Sequence, residues 1–96
     1  MLTWVVYDIS DDKTRKKVSD RCLGFGLTRV QKSVFLGEVD SNRVEEIELF
    51  SRELLDLRID SVYIFPMCRE DFQKVRLVGV GFDRKLVADE IGTRVL

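Results

Sequence analysis

Apolar residues fall into blocks whose spacing changes along the chain. Leu2-Thr3-Trp4-Val5-Val6-Tyr7 is an unbroken apolar or β-favouring run, the pattern of a strand covered on both faces, and Asp8 ends it. Ser10-Asp11-Asp12 brings capping side chains and negative charge to the start of a helix predicted from about Asp12 to Leu23. Val18 and Cys22 share one face of that helix at i,i+4 spacing, and Gly24-Phe25-Gly26 stops it. Leu27 to Val39 is rich in β-formers and predicts a hairpin whose arms meet near Lys32-Ser33. Asp40-Ser41-Asn42 offers a second cap, after which Val44, Ile47, Phe50, Leu54 and Leu57 recur at helical spacing. Ser61 to Phe65 predicts a strand closed by Pro66, the only proline, and Lys74 to Val80 a further strand. From Gly81 the pattern weakens, with a helical stretch expected around Leu86 to Ile91.

The predicted order is strand, helix, strand, strand, helix, strand, plus one extra C-terminal strand. This is a split βαβ: an α+β, ferredoxin-like βαββαβ sandwich with both helices on one face of an antiparallel sheet. The second face then needs cover. Trp4, Val6 and Val62 can pack toward either side, and a homodimer with its sheets face to face would shield them, the last strand adding to the partner's sheet edge. Residues 1–80 are expected to form one domain and 81–96 a C-terminal segment that stays mobile or docks on a partner.

Composition narrows the chemistry. The 96 residues hold no His, which excludes Ser-His-Asp and Cys-His catalysis and any imidazole metal site. Cys22 and Cys68 form no CxxC pair, and both are expected to be small buried hydrophobes. No apolar run approaches the roughly 20 residues that span a bilayer, and Met1-Leu2-Thr3-Trp4 lacks the pattern of a secretory leader, so the expected location is cytoplasmic. The net charge of −1 hides a split: residues 1–43 carry eight Lys/Arg and six Asp/Glu, the remainder eight and eleven. Lys13, Arg15, Lys16, Lys17, Arg21, Arg29 and Lys32 stand against Asp20 alone, an excess that fits either phosphates or a solvated helix face.

Any chemistry must therefore rest on carboxylates. Asp8 ends a buried strand, where a carboxylate is costly unless it is paired, hydrogen-bonded or bound to a metal. A turn residue bonding local amides and a metal ligand remain equally open for Asp8, whereas Asp11 and Asp12 are taken as helix caps. One carboxylate is a poor Mg²⁺ site, but a two-fold dimer would bring two copies of Asp8 together, with water and phosphate oxygens completing the shell. Arg15 and Arg29 could then hold adjacent phosphates, with Tyr7 and Phe35 packed nearby.

The run Tyr7-Asp8-Ile9-Ser10-Asp11-Asp12-Lys13 with Arg15, then Arg29-Val30-Gln31-Lys32-Ser33-Val34-Phe35-Leu36-Gly37-Glu38, resembles the CRISPR-associated protein-two family, the smaller of the two core proteins of spacer acquisition. Ser61-Val62-Tyr63-Ile64-Phe65-Pro66-Met67-Cys68 resembles that family's fourth-strand motif. The resemblance covers roughly residues 1–80. It implies a ferredoxin-like homodimer whose paired aspartates bind Mg²⁺ or Mn²⁺, metal-dependent cleavage of RNA or DNA in some members, and bridging of the CRISPR spacer integrase. By position it implies Asp8 as metal ligand and catalytic residue, and Tyr7, Arg15, Lys17, Arg29 and Phe35 as contacts to double-stranded DNA or single-stranded RNA. Lys17 stands where nuclease-active relatives have arginine, which keeps the charge but loses the bidentate fork. Beside an endonuclease of CRISPR adaptation stand two other readings: a non-catalytic DNA-binding scaffold of the integration complex, and a ferredoxin-like toxin ribonuclease or ligand-sensing module outside CRISPR.

Overall fold

The computed structural model describes residues 1–79. Strand β1 (Leu2–Asp8) leads into helix α1 (Asp12–Gly24), the hairpin β2 (Thr28–Gln31) and β3 (Val34–Glu38), helix α2 (Ser41–Leu54), strand β4 (Ser61–Met67) and a short helix α3 (Arg69–Gln73). The sheet order is β2-β3-β1-β4, with every neighbouring pair antiparallel. This is the ferredoxin-like α+β arrangement expected from the order of the elements.

Local signals set the element ends. Asp11 caps α1, its Oδ2 accepting from the Thr14 backbone N–H at 2.9 Å and from Thr14 Oγ1 at 3.0 Å. The Thr14 backbone bond is the main reason its carboxyl titrates below the usual range. Asp40 caps α2 through the Arg43 N–H at 2.9 Å. The turn after α1 uses Gly26 at φ +83°, which only glycine adopts without strain. Leu27 then crosses β3 so closely that a Cβ on Gly37 would stand 2.7 Å from Leu27 Cδ2 and 3.1 Å from its Cα.

The alternation of β1 divides the apolar residues between two layers. Val5 and Tyr7 point into the main core with Ile9, Val18, Cys22, Leu27, Phe35, Val39, Ile47 and Phe50, and Val62 and Ile64 of β4 pack against it. A second cluster of Leu2, Leu36 and Phe72, joined by Trp4, Val30, Met67 and Val75, lies on the opposite face. There α3 covers one end of the sheet: the Trp4 and Phe72 rings are 6.1 Å apart. The other end, around Val6, Tyr63 and Phe65, is open, with the two aromatic residues 57% and 46% exposed.

Four expectations need correction. Pro66 does not close β4; the strand continues to Met67 with Pro66 opposite Thr3, which its place at the sheet edge permits. Leu57 lies beyond α2 and is exposed, because the helix ends at Leu54 and the chain turns there. Residues 74–79 form no strand, since α3 and Val75 carry the chain onto the second face rather than along an edge. Cys68 is exposed and only Cys22 is buried, because Cys68 precedes α3 at the end of the edge strand. The second face is thus covered in part by the chain itself, and the stretch expected around Leu86 to Ile91 lies outside the described residues.

Candidate nucleic-acid and metal site

β1 delivers Asp8 to one end of the sheet, opposite Ser61 in register and on the face of Trp4 and Val6. Its carboxylate is exposed and has no hydrogen-bond or ion-pair partner among the described residues. The turn-residue reading of Asp8 therefore lacks the backbone contacts it requires. Asp60 makes the local bonds instead. Its Oδ1 accepts from the Ser10 N–H and its Oδ2 from the Asp56 N–H, each at 3.1 Å, tying the β1–α1 loop to the loop before β4.

A cleft of about 690 Å³ opens beside Asp8 between the strand ends and one flank of α1. It is lined by Tyr7, Asp8, Arg15, Ser19, Arg29 and Lys32 among others, so four of the expected site residues meet there. Arg15 is turned toward the backbone: its Nη1 donates to the carbonyls of Ile9 at 2.9 Å and Ser10 at 3.1 Å, and its other terminal nitrogen pairs with Asp12. It fixes the loop after Asp8 and keeps its charge at the cleft wall. Arg29 is held by the Ser19 hydroxyl and lies 5.1 Å above the Phe35 ring.

The two aromatic side chains do not face outward. Phe35 is completely buried and Tyr7 nearly so, their rings stacked at 6.2 Å. Direct base stacking is closed to Phe35 in this structure, because the same β-alternation that places Phe35 under Arg29 points it into the core. Lys17 also stands apart: it is exposed on α1 but does not line the cleft. Sequence reasoning missed Ser19 and Asp60. A small hydroxyl on the buried side of a charged helix was the available signal for Ser19; nothing local marks Asp60, whose partner is 50 residues away.

No three His, Cys, Asp or Glu side chains gather as a metal site among the described residues. Of the carboxylates that line the cleft, Asp12 and Asp20 are paired with Arg15 and Lys16 and Asp8 alone has no partner among the described residues, so a full oxygen shell there requires further groups. Cys22 is no alternative nucleophile, since burial pushes its thiol up to about 12, opposed only in part by Arg29. No described helix is long and apolar enough to cross a membrane.

The fold and site define a small ferredoxin-like α+β domain with a strand-end carboxylate beside a cleft walled by arginine. Residues 1–75 match the family described as CRISPR associated protein Cas2, and the chain belongs to that family. It is 39% identical over 80 residues to the CRISPR-associated endoribonuclease Cas2 of Desulforudis audaxviator, covering 83% of this chain and 76% of that protein. It is 38% identical over 77 residues to a CRISPR-associated endonuclease Cas2 of Thermus thermophilus, covering 80% of each. The crystal structure of Streptococcus pyogenes Cas2 superposes with a TM-score of 0.70 at 25% identity, over 82% of this chain and all of that one. A hypothetical protein of Thermus thermophilus superposes with a TM-score of 0.68 at 36% identity, over 83% of this chain and 92% of that one.

Proposed function

We propose that this chain is a metal-dependent endonuclease of CRISPR spacer acquisition that works as a homodimer in the cytoplasm. The observation that carries the reading is Asp8: an exposed, unpartnered carboxylate between an arginine-walled cleft and the open end of an apolar sheet face. Apposing that open end, with Val6, Tyr63 and Phe65, on its copy would bury the exposed rings and bring the two Asp8 carboxylates together. The pair would hold Mg²⁺ or Mn²⁺, which supplies an activated water and offsets charge on the scissile phosphate. Arg29, braced by Ser19 and Phe35, would hold the neighbouring phosphate, and Arg15 would fix the loop that aims Asp8. The names of the relatives support endoribonuclease activity on RNA, with DNA as the alternative phosphodiester. The same dimer would bind duplex DNA and bridge the CRISPR spacer integrase.

The test is Asp8→Asn, assayed for cleavage of labelled RNA and duplex DNA with Mg²⁺, with Mn²⁺ and with chelator. Asn keeps the shape and removes the charge, so metal-dependent cleavage should vanish while the dimer persists. Cleavage at the wild-type rate by the purified variant would eliminate Asp8 as metal ligand. The scaffold reading makes a different prediction, namely that spacer acquisition in cells survives Asp8→Asn.

A further inference from the structure

Four cations line the cleft at Asp8: Arg15, Lys16, Arg29 and Lys32. Three of them are engaged. Arg15 donates to the Ile9 and Ser10 carbonyls and pairs with Asp12, Lys16 pairs with Asp20 at 2.9 Å, and Arg29 is held by the Ser19 hydroxyl over the Phe35 ring. The Lys32 ammonium is exposed and has no hydrogen-bond or ion-pair partner among the described residues. The cleft therefore holds one uncommitted carboxylate, Asp8, and one uncommitted ammonium, and the two are not paired with each other.

Register sets where Lys32 stands. β1 and β3 pair from Leu2 opposite Glu38 to Val6 opposite Val34, and the Tyr7 N–H donates to the Ser33 carbonyl at 3.1 Å. One step further brings the turn residue Lys32 level with Asp8, across β1 from Ser61. The turn is anchored by the residue that precedes Asp8: the Tyr7 hydroxyl reaches the Lys32 carbonyl at 3.5 Å, and the Tyr7 ring is stacked on Phe35. Arg29 stands elsewhere. β2 pairs it with Phe35, which is opposite Val5, three places back along β1 and so about 10 Å of backbone from Asp8.

We infer that Lys32 is a second catalytic residue of this cleft: its ammonium contacts a non-bridging oxygen of the phosphate being cleaved, across from Asp8, while Arg29 holds the next phosphate. This role rests on the endonuclease reading of Asp8. In hydrolysis the water oxygen bonds to phosphorus and the bond to the leaving sugar oxygen breaks. One proton passes from the water to solvent, and the leaving oxygen takes one up. Negative charge builds on the phosphate and leaving oxygens between these events, so a fixed cation beside them stabilises that state more than the starting diester. Lysine suits the position as a compact point charge. Paired with Asp8 it would occupy the carboxylate that a divalent cation needs; standing free, it leaves Asp8 available.

The experiment compares Lys32→Met and Lys32→Arg with wild type in two assays: cleavage of RNA and duplex DNA under Mn²⁺, and Mn²⁺ binding followed by water-proton relaxation. Methionine removes the charge with little change in side-chain length, and an exposed turn residue can take either change without disturbing the core. In Lys32→Met, kcat should fall about 10- to 100-fold, less than at a water-excluded site because this cleft opens to solvent, with KM within about threefold of wild type. Lys32→Arg should recover most of kcat. Mn²⁺ should bind Lys32→Met at least as tightly as wild type, because the lysine charge opposes the cation. Arg52→Gln, on α2 outside the cleft and paired with Glu48, should change neither readout. A wild-type kcat in Lys32→Met, or an effect confined to KM, would overturn the catalytic role alone. Loss of Mn²⁺ binding in Lys32→Met would also overturn it, making Lys32 a support for Asp8. A wild type that binds Mn²⁺ but cleaves neither nucleic acid would instead overturn the endonuclease reading, and the role of Lys32 with it.

Discussion

Asp60 ties the loop that follows Asp8 to the loop before β4, and its removal has a magnitude that can be worked out. Its two carboxylate oxygens accept one backbone N–H each, from Ser10 and from Asp56, at 3.1 Å. Hydrogen bonds to a charged acceptor contribute about 1.5–3 kcal/mol, and solvent access at this loop places these near or below the lower figure, at about 1 kcal/mol each. Asp60→Ala should therefore cost about 2 kcal/mol and Asp60→Asn, which retains one acceptor oxygen, about half of that. In a domain of this size 1 kcal/mol moves the melting temperature by about 4–8 °C, so the alanine variant should melt about 8–16 °C lower. Circular dichroism melts at one fixed protein concentration measure this, since a dimer would make the midpoint concentration-dependent. Hydrogen exchange adds a local readout: the Ser10 amide should lose protection in the alanine variant. An alanine variant melting within about 2 °C of wild type, with Ser10 still protected, would refute the staple.

Three further outcomes follow from the packing. Gly37→Ala drives a methyl into Leu27, backbone included, and should destabilise by about 1–3 kcal/mol in a denaturant titration. In thiol titration at neutral pH, Cys68 should react promptly and Cys22 only on unfolding. Because burial raises the Cys22 thiol from 9.0 to about 12, the unfolded chain ionises first. Its contribution should be intact below pH 9 and be lost as pH rises toward 12, by about 1.4 kcal/mol per pH unit, a loss that Cys22→Ala removes. Phe65→Glu places a charge on the open sheet face that the proposed dimer would bury, and sedimentation should show dimers for the wild type and monomers for the variant; an undiminished dimer would move the interface elsewhere.

What the sequence determined by itself is local. Periodicity located β1, both long helices and the hairpin, because burial of one face and capping by Asp11 and Asp40 are decided within a few residues. Asp8 could be singled out as a strand-end carboxylate for the same reason. Long-range packing decided the rest. Phe35 and Tyr7 look like candidates for stacking on bases, but the pleat turns them inward as the floor under Arg29. Arg15 and Lys17 stand two residues apart, yet Arg15 turns to the loop after Asp8 while Lys17 stays exposed outside the cleft. Pro66 could stay inside β4 only because that strand is an edge, and residues 69–75 folded over the second face because Phe72 found Leu2, Trp4 and Leu36 there. Gly37 sits in the hairpin motif for a reason visible only once Leu27 is seen crossing it. Apart from Arg15, whose partners lie five and six residues away, these outcomes depend on groups brought in by other elements, and local spacing holds no information about which group arrives.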